Sequence, residues 1–270
     1  MTAYYNENDP EAVAVLHELI TAGVIAPGHV DSRSIKEVTP NDIAGYTQCH
    51  FFAGAGLWSV GARLAGFPDD RPVWSASCPC QGESLAGKRL GADDPRHLWP
   101  DLYRLIRSAR PPIIVGEQVA AAAGTHWLDG MCADLEVEDY SARAVDIPAC
   151  AIDAPHQRNR LYWIAVGDAI SSRLEGQRGH GHDGAGWAQP YRSASPADGR
   201  NGSWFADAEW IQCHDEKARR AKPGTPMLVD GMVGRGSVWR LAGNGILPQL
   251  AEAVFASILD VEAGGDRGGQ

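Results

Sequence analysis

Four places in the chain carry residue types whose spacing suits chemistry. Cys80 follows a proline at the end of VWSASCPC and precedes QGESLAGKRLG, a basic, glycine-containing segment. Strand-end loops display their side chains, and a thiol displayed there suits a nucleophile acting as its thiolate. Glu117 closes the apolar run IIVGEQV, where a carboxyl can hold or pass a proton. Arg158 and Arg160 alternate in HQRNRLYWIA, so on a strand both guanidinium groups face one anion or base. In FFAGAG an apolar run breaks into glycines; such a turn places backbone N–H groups and a helix amino terminus where nucleotide-like ligands sit. Taken singly, each has a plainer reading. Most cysteines are buried apolar groups, a strand-end acid is often a solvated turn residue, and glycine turns are common.

The elements that must position these residues read as alternating strands and helices up to about residue 165, which predicts a parallel α/β sheet. TAYYNE is a short strand, and DPEAVAVLHELITAG a helix with Asp9 as cap, Pro10 in the first turn and Gly23 at its end. HVDSRSI is a second strand, TPNDIAGY a short capped helix, and TQCHFFAGAG the strand that leads through the glycines into the helix LWSVGARLAGF. After the Cys80 loop come the helix HLWPDLYRLIRSAR, the strand PPIIVGEQV and an antiparallel pair, ARAVDIPAC and RLYWIAV. The stretch from 167 to about 203 is rich in Gly, Ser and Arg without a sustained period, and clustered aromatics and cations follow it. The expected organisation is therefore a catalytic and cofactor-binding domain over 1–166, a small irregular region over 167–233, and a returning segment over 234–270. That segment is a helix, ILPQLAEAVFASILDV, with a disordered tail, EAGGDRGGQ.

At 270 residues, 44% hydrophobic and 21% charged, the chain suits one sizeable core and a small satellite. No run approaches eighteen apolar residues, and the amino terminus carries acids rather than a basic, apolar leader, so a cytoplasmic protein without a membrane partner is expected. Six cysteines show neither a CxxC pair nor zinc-type spacing; no metal and no disulfide are expected. The net charge of -10 discourages a nucleic-acid partner at first sight. Residues 156–222, however, hold ten Lys/Arg against eight Asp/Glu, which leaves -12 on the rest. A monomer is the expected state.

The order FAGAG (Phe52 to Gly56), PCQ (Pro79 to Gln81), EQV (Glu117 to Val119), QRNR (Gln157 to Arg160) and GNG (around Gly243 and Asn244) resembles that of the DNA (cytosine-5) methyltransferases. The resemblance implies a short bacterial or phage-type member: a Rossmann-like sheet that takes a methyl group from S-adenosylmethionine to C5 of cytosine in double-stranded DNA. It gives Cys80 the role of nucleophile at C6 of a flipped base, because thiolate addition turns the ring into an enamine whose C5 can attack. Glu117 would hold N3 and the exocyclic amine, Arg160 the O2 side, and Arg158 the catalytic loop or a phosphate. Phe52, Ala53, Gly54, Gly56, Leu98 and Asn244 match positions that bind or pack against the methyl donor. Gln81, Ser84, Lys88 and Arg89 in the loop, with Arg192, Arg219 and Arg220 beyond it, are the expected DNA contacts. The same chemistry on RNA or with another one-carbon donor is one alternative. A DNA-binding module with this fold but no catalysis is the other.

The chain departs from the family pattern in one large respect. Between Gly56 and Cys80 there is no room for the two strand–helix units that bind the cofactor ribose and adenine. YNENDPEAVAVLHEL and HVDSRSIKEVTPNDIAGY resemble those units, so the motif order reads as permuted, with Glu7 for the ribose hydroxyls, Asp31 for the adenine amine, and Asn8 and Ser32 on the same face. A parallel sheet tolerates this, because the sites share one carboxyl edge whatever order the strands are threaded in. The alternative is an unrelated amino-terminal helix hairpin. Smaller departures are Leu57 for a glycine, Glu83 for a phenylalanine, and Gln118 for an asparagine, whose greater length is expected to shift the end of the Glu117 strand. Trp187, Tyr191, Arg192, Trp204, Trp210 and the run Lys217 to Lys222 suit either a DNA groove or a small Trp-centred core with a basic face.

Overall fold

The computed structural model describes residues 2–79, 98–120, 126–152, 158–167, 209–212, 218–221 and 245–266. Nine strands and six α-helices occupy them. The first strand, β1 (Ala3–Asn6), is followed by α1 (Pro10–Thr21), β2 (Gly28–Asp31), α2 (Pro40–Ile43), β3 (Gln48–Phe51), α3 (Leu57–Leu64) and β4 (Val73–Ala76). Next among the described residues come α4 (Trp99–Ala109), β5 (Ile113–Val119), α5 (His126–Val137), β6 (Tyr140–Ile147), a 3-10 turn (Ala149–Ile152) and β7 (Arg160–Gly167). A hairpin of β8 (Glu209–Gln212) and β9 (Ala218–Ala221) precedes α6, the helix Pro248–Asp266.

Seven strands form one sheet in the order β2-β1-β3-β4-β5-β7-β6. The first five run parallel, and β7 lies antiparallel to both β5 and β6. The first forty-five residues are thus not a helix hairpin: β1 pairs with β2 on one side and β3 on the other. All four residues of β1, β3 and β4 are buried, as strands covered on both faces must be.

Local chemistry accounts for the helix ends. Asp9 caps α1 by accepting from the N–H groups of Glu11 (2.9 Å) and Ala12 (3.3 Å), while Gly23 leaves the helix at φ +68°. Thr39 and Asp42 form a capping box on α2. On one face of the sheet Leu102, Leu105 and Ile106 of α4 and Met131 and Leu135 of α5 meet Phe51, Trp74 and Trp163. On the other, Trp58 of α3 packs with Tyr162 and with Phe255 of α6. There Gly61 permits the close approach of α3 to α6, because a Cβ at that position would stand 2.4 Å from the Cβ of Ala251.

Four differences from the sequence reading have physical reasons. β2 ends at Asp31 rather than continuing through Ile35, because Asn6 draws the carbonyls of Asp31 (3.3 Å) and Arg33 (2.8 Å) towards itself and turns the chain. Arg158 lies ahead of β7 rather than on it, in a bend at φ +24°, so it does not share a strand face with Arg160. Helix α5 was not anticipated. Helix α6 runs on to Asp266, into the segment expected to be a disordered tail; a packed helix propagates at one hydrogen bond per added residue. Within 167–233 only the β8–β9 hairpin is described, and no described helix is long and apolar enough to cross a membrane.

Candidate active site

The parallel strands end along one edge, and the sequence-predicted residues described in the seven-stranded part gather there in two groups. The first surrounds the glycine turn. β3 ends at Phe51, Phe52 takes a left-handed conformation at φ 52°, and Gly54 and Gly56 follow at φ 53° and 68°. A Cβ on Gly54 would meet nothing within 4 Å, so the turn opens to space above the strand ends. Glu7, one residue past β1, accepts from the Gly54 N–H at 2.7 Å and from the Asp9 N–H at 2.8 Å. The Ala53 N–H donates to the Asn6 carbonyl (3.0 Å) and that of Gly56 to the Ala53 carbonyl (2.8 Å). β1 therefore holds the turn from below, and the Glu7 carboxylate bridges it to the start of α1.

Asp31 closes β2 beside these residues and is 5% exposed. Burial works to raise its pKa, but the Arg33 side chain, the Tyr4 hydroxyl and the Arg33 N–H together hold the carboxyl at about 2. Asn8 and Ser32 are exposed on either side of this edge. Leu98 stands at the amino end of α4, half-buried against the core that includes Phe51 and Trp99. Asn244 lies outside the described residues.

The second group surrounds Glu117. β5 carries the acid to the same edge, where it is 8% exposed. Its Oε1 lies 2.8 Å from the Arg160 Nε, because Arg160 opens β7 opposite Val119 at the antiparallel end of the pair. Burial pushes the Glu117 carboxyl above its ordinary range, against the opposing pull of Arg160 and Arg158. Arg158 itself donates from Nη2 to the Gly245 carbonyl at 2.6 Å, tying the approach to β7 to the approach to α6. The site thus brings together Glu117 and Arg160 in direct contact, with the Arg158 charge close enough to act on Glu117 and its side chain bonded to Gly245.

β4 lies parallel to β5, with Ala76 opposite Gly116. Its exit, Ser77-Cys78-Pro79, is held by two side chains: Trp58 Nε1 donates to the Ser77 hydroxyl at 3.0 Å, and Gln118 Nε2 to the Cys78 carbonyl at 3.3 Å. Gln118 is 2% exposed. Its amide links the Glu117 strand to the segment that leads into Cys80. Cys78 is a buried thiol whose pKa is raised by burial and by the nearby Glu117 charge, which makes it inert. Cys80, Gln81, Ser84, Lys88, Arg89 and Arg192 lie outside the described residues; Arg219 and Arg220 fall on β9.

Sequence reasoning missed Tyr4, Asn6 and Arg33, which organise the β1–β2 end. The signal was present in Arg33, two residues after an acid that a strand delivers to the edge. Among the described residues no group of three or more His, Cys, Asp or Glu is arranged to hold a metal ion.

Comparison with known proteins converges on one family. Residues 62–178 match the C-5 cytosine-specific DNA methylase family, a span that includes Cys80, Glu117, Arg158 and Arg160. The type II methyltransferase M.CviJI of Paramecium bursaria Chlorella virus IL3A is 31% identical over 101 residues, 37% of this chain and 28% of that protein. M.HhaI of Haemophilus parahaemolyticus is 30% identical over 99 residues, 35% of this chain and 30% of that protein. The matches thus span less than a third of either relative. Among solved structures, the S. pombe Dnmt2 methyltransferase superposes with a TM-score of 0.52 at 12% identity, covering 96% of this chain and 99% of that one. That likeness shows the fold alone: a Rossmann-like α/β sheet.

Proposed function

We propose, on the premise that this chain belongs to the C-5 cytosine-specific DNA methylase family, that it transfers a methyl group from S-adenosylmethionine to C5 of cytosine in double-stranded DNA. The observation that carries the reading is the buried pairing of Glu117 with Arg160 at 2.8 Å, one strand away from the stem of Cys80. A buried carboxyl whose pKa is raised is the state needed to give a hydrogen bond to N3 of the base as the ring gains negative charge. Arg160 both orients that carboxyl and presents a cation at the same edge.

In this reading the Cys80 sulfur adds to C6, Glu117 shares its proton with N3, and C5 becomes the nucleophile. After transfer, loss of the C5 proton to a base expels Cys80 and restores the ring. Lys88 and Arg89 in the loop after Cys80, with Gln81 and Ser84, are proposed to contact the DNA, joined by Arg192, Arg219 and Arg220.

The residues around the glycine turn fit an adenosyl cofactor in one respect: Gly54 opens to free space beside the Glu7 carboxylate. Glu7 would take the ribose hydroxyls, Phe52 to Gly56 the turn side, and Leu98 and Asn244 the far wall; bound there, S-adenosylmethionine supplies an electrophilic methyl group. The sheet order supports the permuted arrangement, because the strands ending at Glu7 and Asp31 flank the glycine strand on one side and the Cys80 and Glu117 strands lie on the other. Bisulfite sequencing of DNA from cells expressing the protein tests the activity. Protected cytosines at a recurrent site are expected; uniform conversion alongside folded protein would overturn the reading.

A further inference from the structure

Asp31 already carries more donors than a free acceptor of an adenine amine can. Its Oδ1 accepts from the Arg33 N–H at 3.0 Å and from Arg33 Nε at 3.0 Å. Its Oδ2 accepts from the Tyr4 hydroxyl at 2.6 Å and from Arg33 Nη2 at 2.6 Å, with Nε also within 3.1 Å. A carboxylate offers about four lone-pair positions, and here four or more donors fill them. The same Nη2 lies 3.0 Å from Oδ1 of Asp42, so the guanidinium is shared between two acids. The Arg33 side chain is 45% exposed and Asp31 5%. Tyr4 and Asp31 are built into the core, so the partner free to move is the arginine.

We propose that Arg33 is a ligand-responsive latch and a specificity-determining residue of the cofactor site. In the free protein its guanidinium occupies the acceptor on Asp31. When the amino group of an adenosyl ligand takes Asp31, Arg33 withdraws and stays on Asp42, which it already touches. The inference rests on the reading of Asp31 as the acceptor for that amine. A purine with a carbonyl in place of the amino group brings an acceptor rather than a donor at that position and leaves the latch shut.

The test is calorimetric titration of the full chain with S-adenosylhomocysteine, which binds without turnover. Arg33→Ala removes the competing donor and is expected to tighten binding roughly fivefold or more, within the usual span of coupling between two sites. Arg33→Gln, which keeps much of the stem over the site, is expected to act in the same direction. Asp42→Asn leaves an oxygen for the Thr39 cap but takes away the charge that receives the guanidinium, so it is expected to weaken binding by a similar factor. In the Arg33→Ala background Asp42→Asn is expected to change nothing. S-inosylhomocysteine, with a keto group in place of the amine, is expected to bind the wild type more weakly and to gain nothing from Arg33→Ala. Weaker or unchanged binding in both Arg33 variants, or an Asp42→Asn effect equal in the two backgrounds, would overturn the latch. A wild-type protein that binds no S-adenosylhomocysteine would overturn the cofactor reading and the latch with it; binding without this coupling overturns the latch alone.

Discussion

Replacing Gln118 by leucine isolates the contact that links the acid strand to the stem of the nucleophile. The leucine keeps nearly the same volume, so the cavity contribution is small. What it removes is a buried amide whose Nε2 donates to the Cys78 carbonyl at 3.3 Å and whose Oε1 accepts from the Val119 N–H at 2.9 Å. Each buried group left without a partner costs about 1–3 kcal/mol, so the two together predict a loss of about 2–6 kcal/mol. For a chain of this size that corresponds to a drop in Tm of roughly 4–24 °C, at about 2–4 °C for each kcal/mol. The loss also has a direction in function. With the Cys78 carbonyl released, the segment that leads to Cys80 is held less firmly, so on the proposed mechanism kcat should fall while the affinity for S-adenosylhomocysteine stays within about twofold. The assays are urea or thermal unfolding, calorimetric binding, and single-turnover methyl transfer. A variant that melts within a degree of wild type and transfers at the wild-type rate would refute the reasoning.

Two further predictions concern the charged groups. Glu117 has a raised pKa in the folded state, so the stability it contributes is fully present below its unfolded value of 4.5 and is lost as pH rises through the folded value. Glu117→Gln, which cannot ionise, should therefore gain stability relative to wild type as pH rises above 4.5 in urea titrations, while its transfer rate falls by ~10²-fold or more. A relative stability that moves the other way with pH would mean that the Arg160 pair outweighs burial. Glu7→Ala removes the acceptor of the Gly54 N–H, a charge-assisted bond of about 1.5–3 kcal/mol. Both the melting temperature and the affinity for S-adenosylhomocysteine should fall; unchanged affinity in a destabilised variant would confine Glu7 to holding the turn.

The α/β class and the strand-helix order were legible because each element carries its own local signal. Asp9-Pro10 opens α1, Thr39 and Asp42 box α2, and the buried runs QCHF and VWSA announce covered strands. The order of strands in space was not legible from local signals; the spacing deficit between Gly56 and Cys80 pointed only to a permuted motif order. Glu117 and Arg160 were legible as site residues because each closes or opens an apolar strand with a charge. Arg158 misled, since alternation predicts a shared face only where the strand has begun, and the bend at its positive φ comes first. Arg33 carried a local signal, a cation two residues after a strand-end acid, but its partners were not legible. Its role comes from two carboxylates, Asp31 and Asp42, that meet it only after β2 turns, and the turn depends on Asn6 from another strand. Helix α5 places Trp127, Met131 and Leu135 four residues apart on its buried face, but Gly130 and the run of small residues before it dilute the pattern.

The claim at the centre of this account is that Cys80 adds to C6 of a cytosine held beside Glu117 and Arg160. Its most direct test is intact-mass analysis of the protein after incubation with S-adenosylmethionine and a duplex whose target cytosine is 5-fluorocytosine, which blocks the final elimination. A stable protein–DNA adduct that maps to Cys80 and is absent from Cys80→Ser is predicted. Methyl transfer to unmodified DNA without any such adduct, or an adduct that persists in Cys80→Ser, would contradict it.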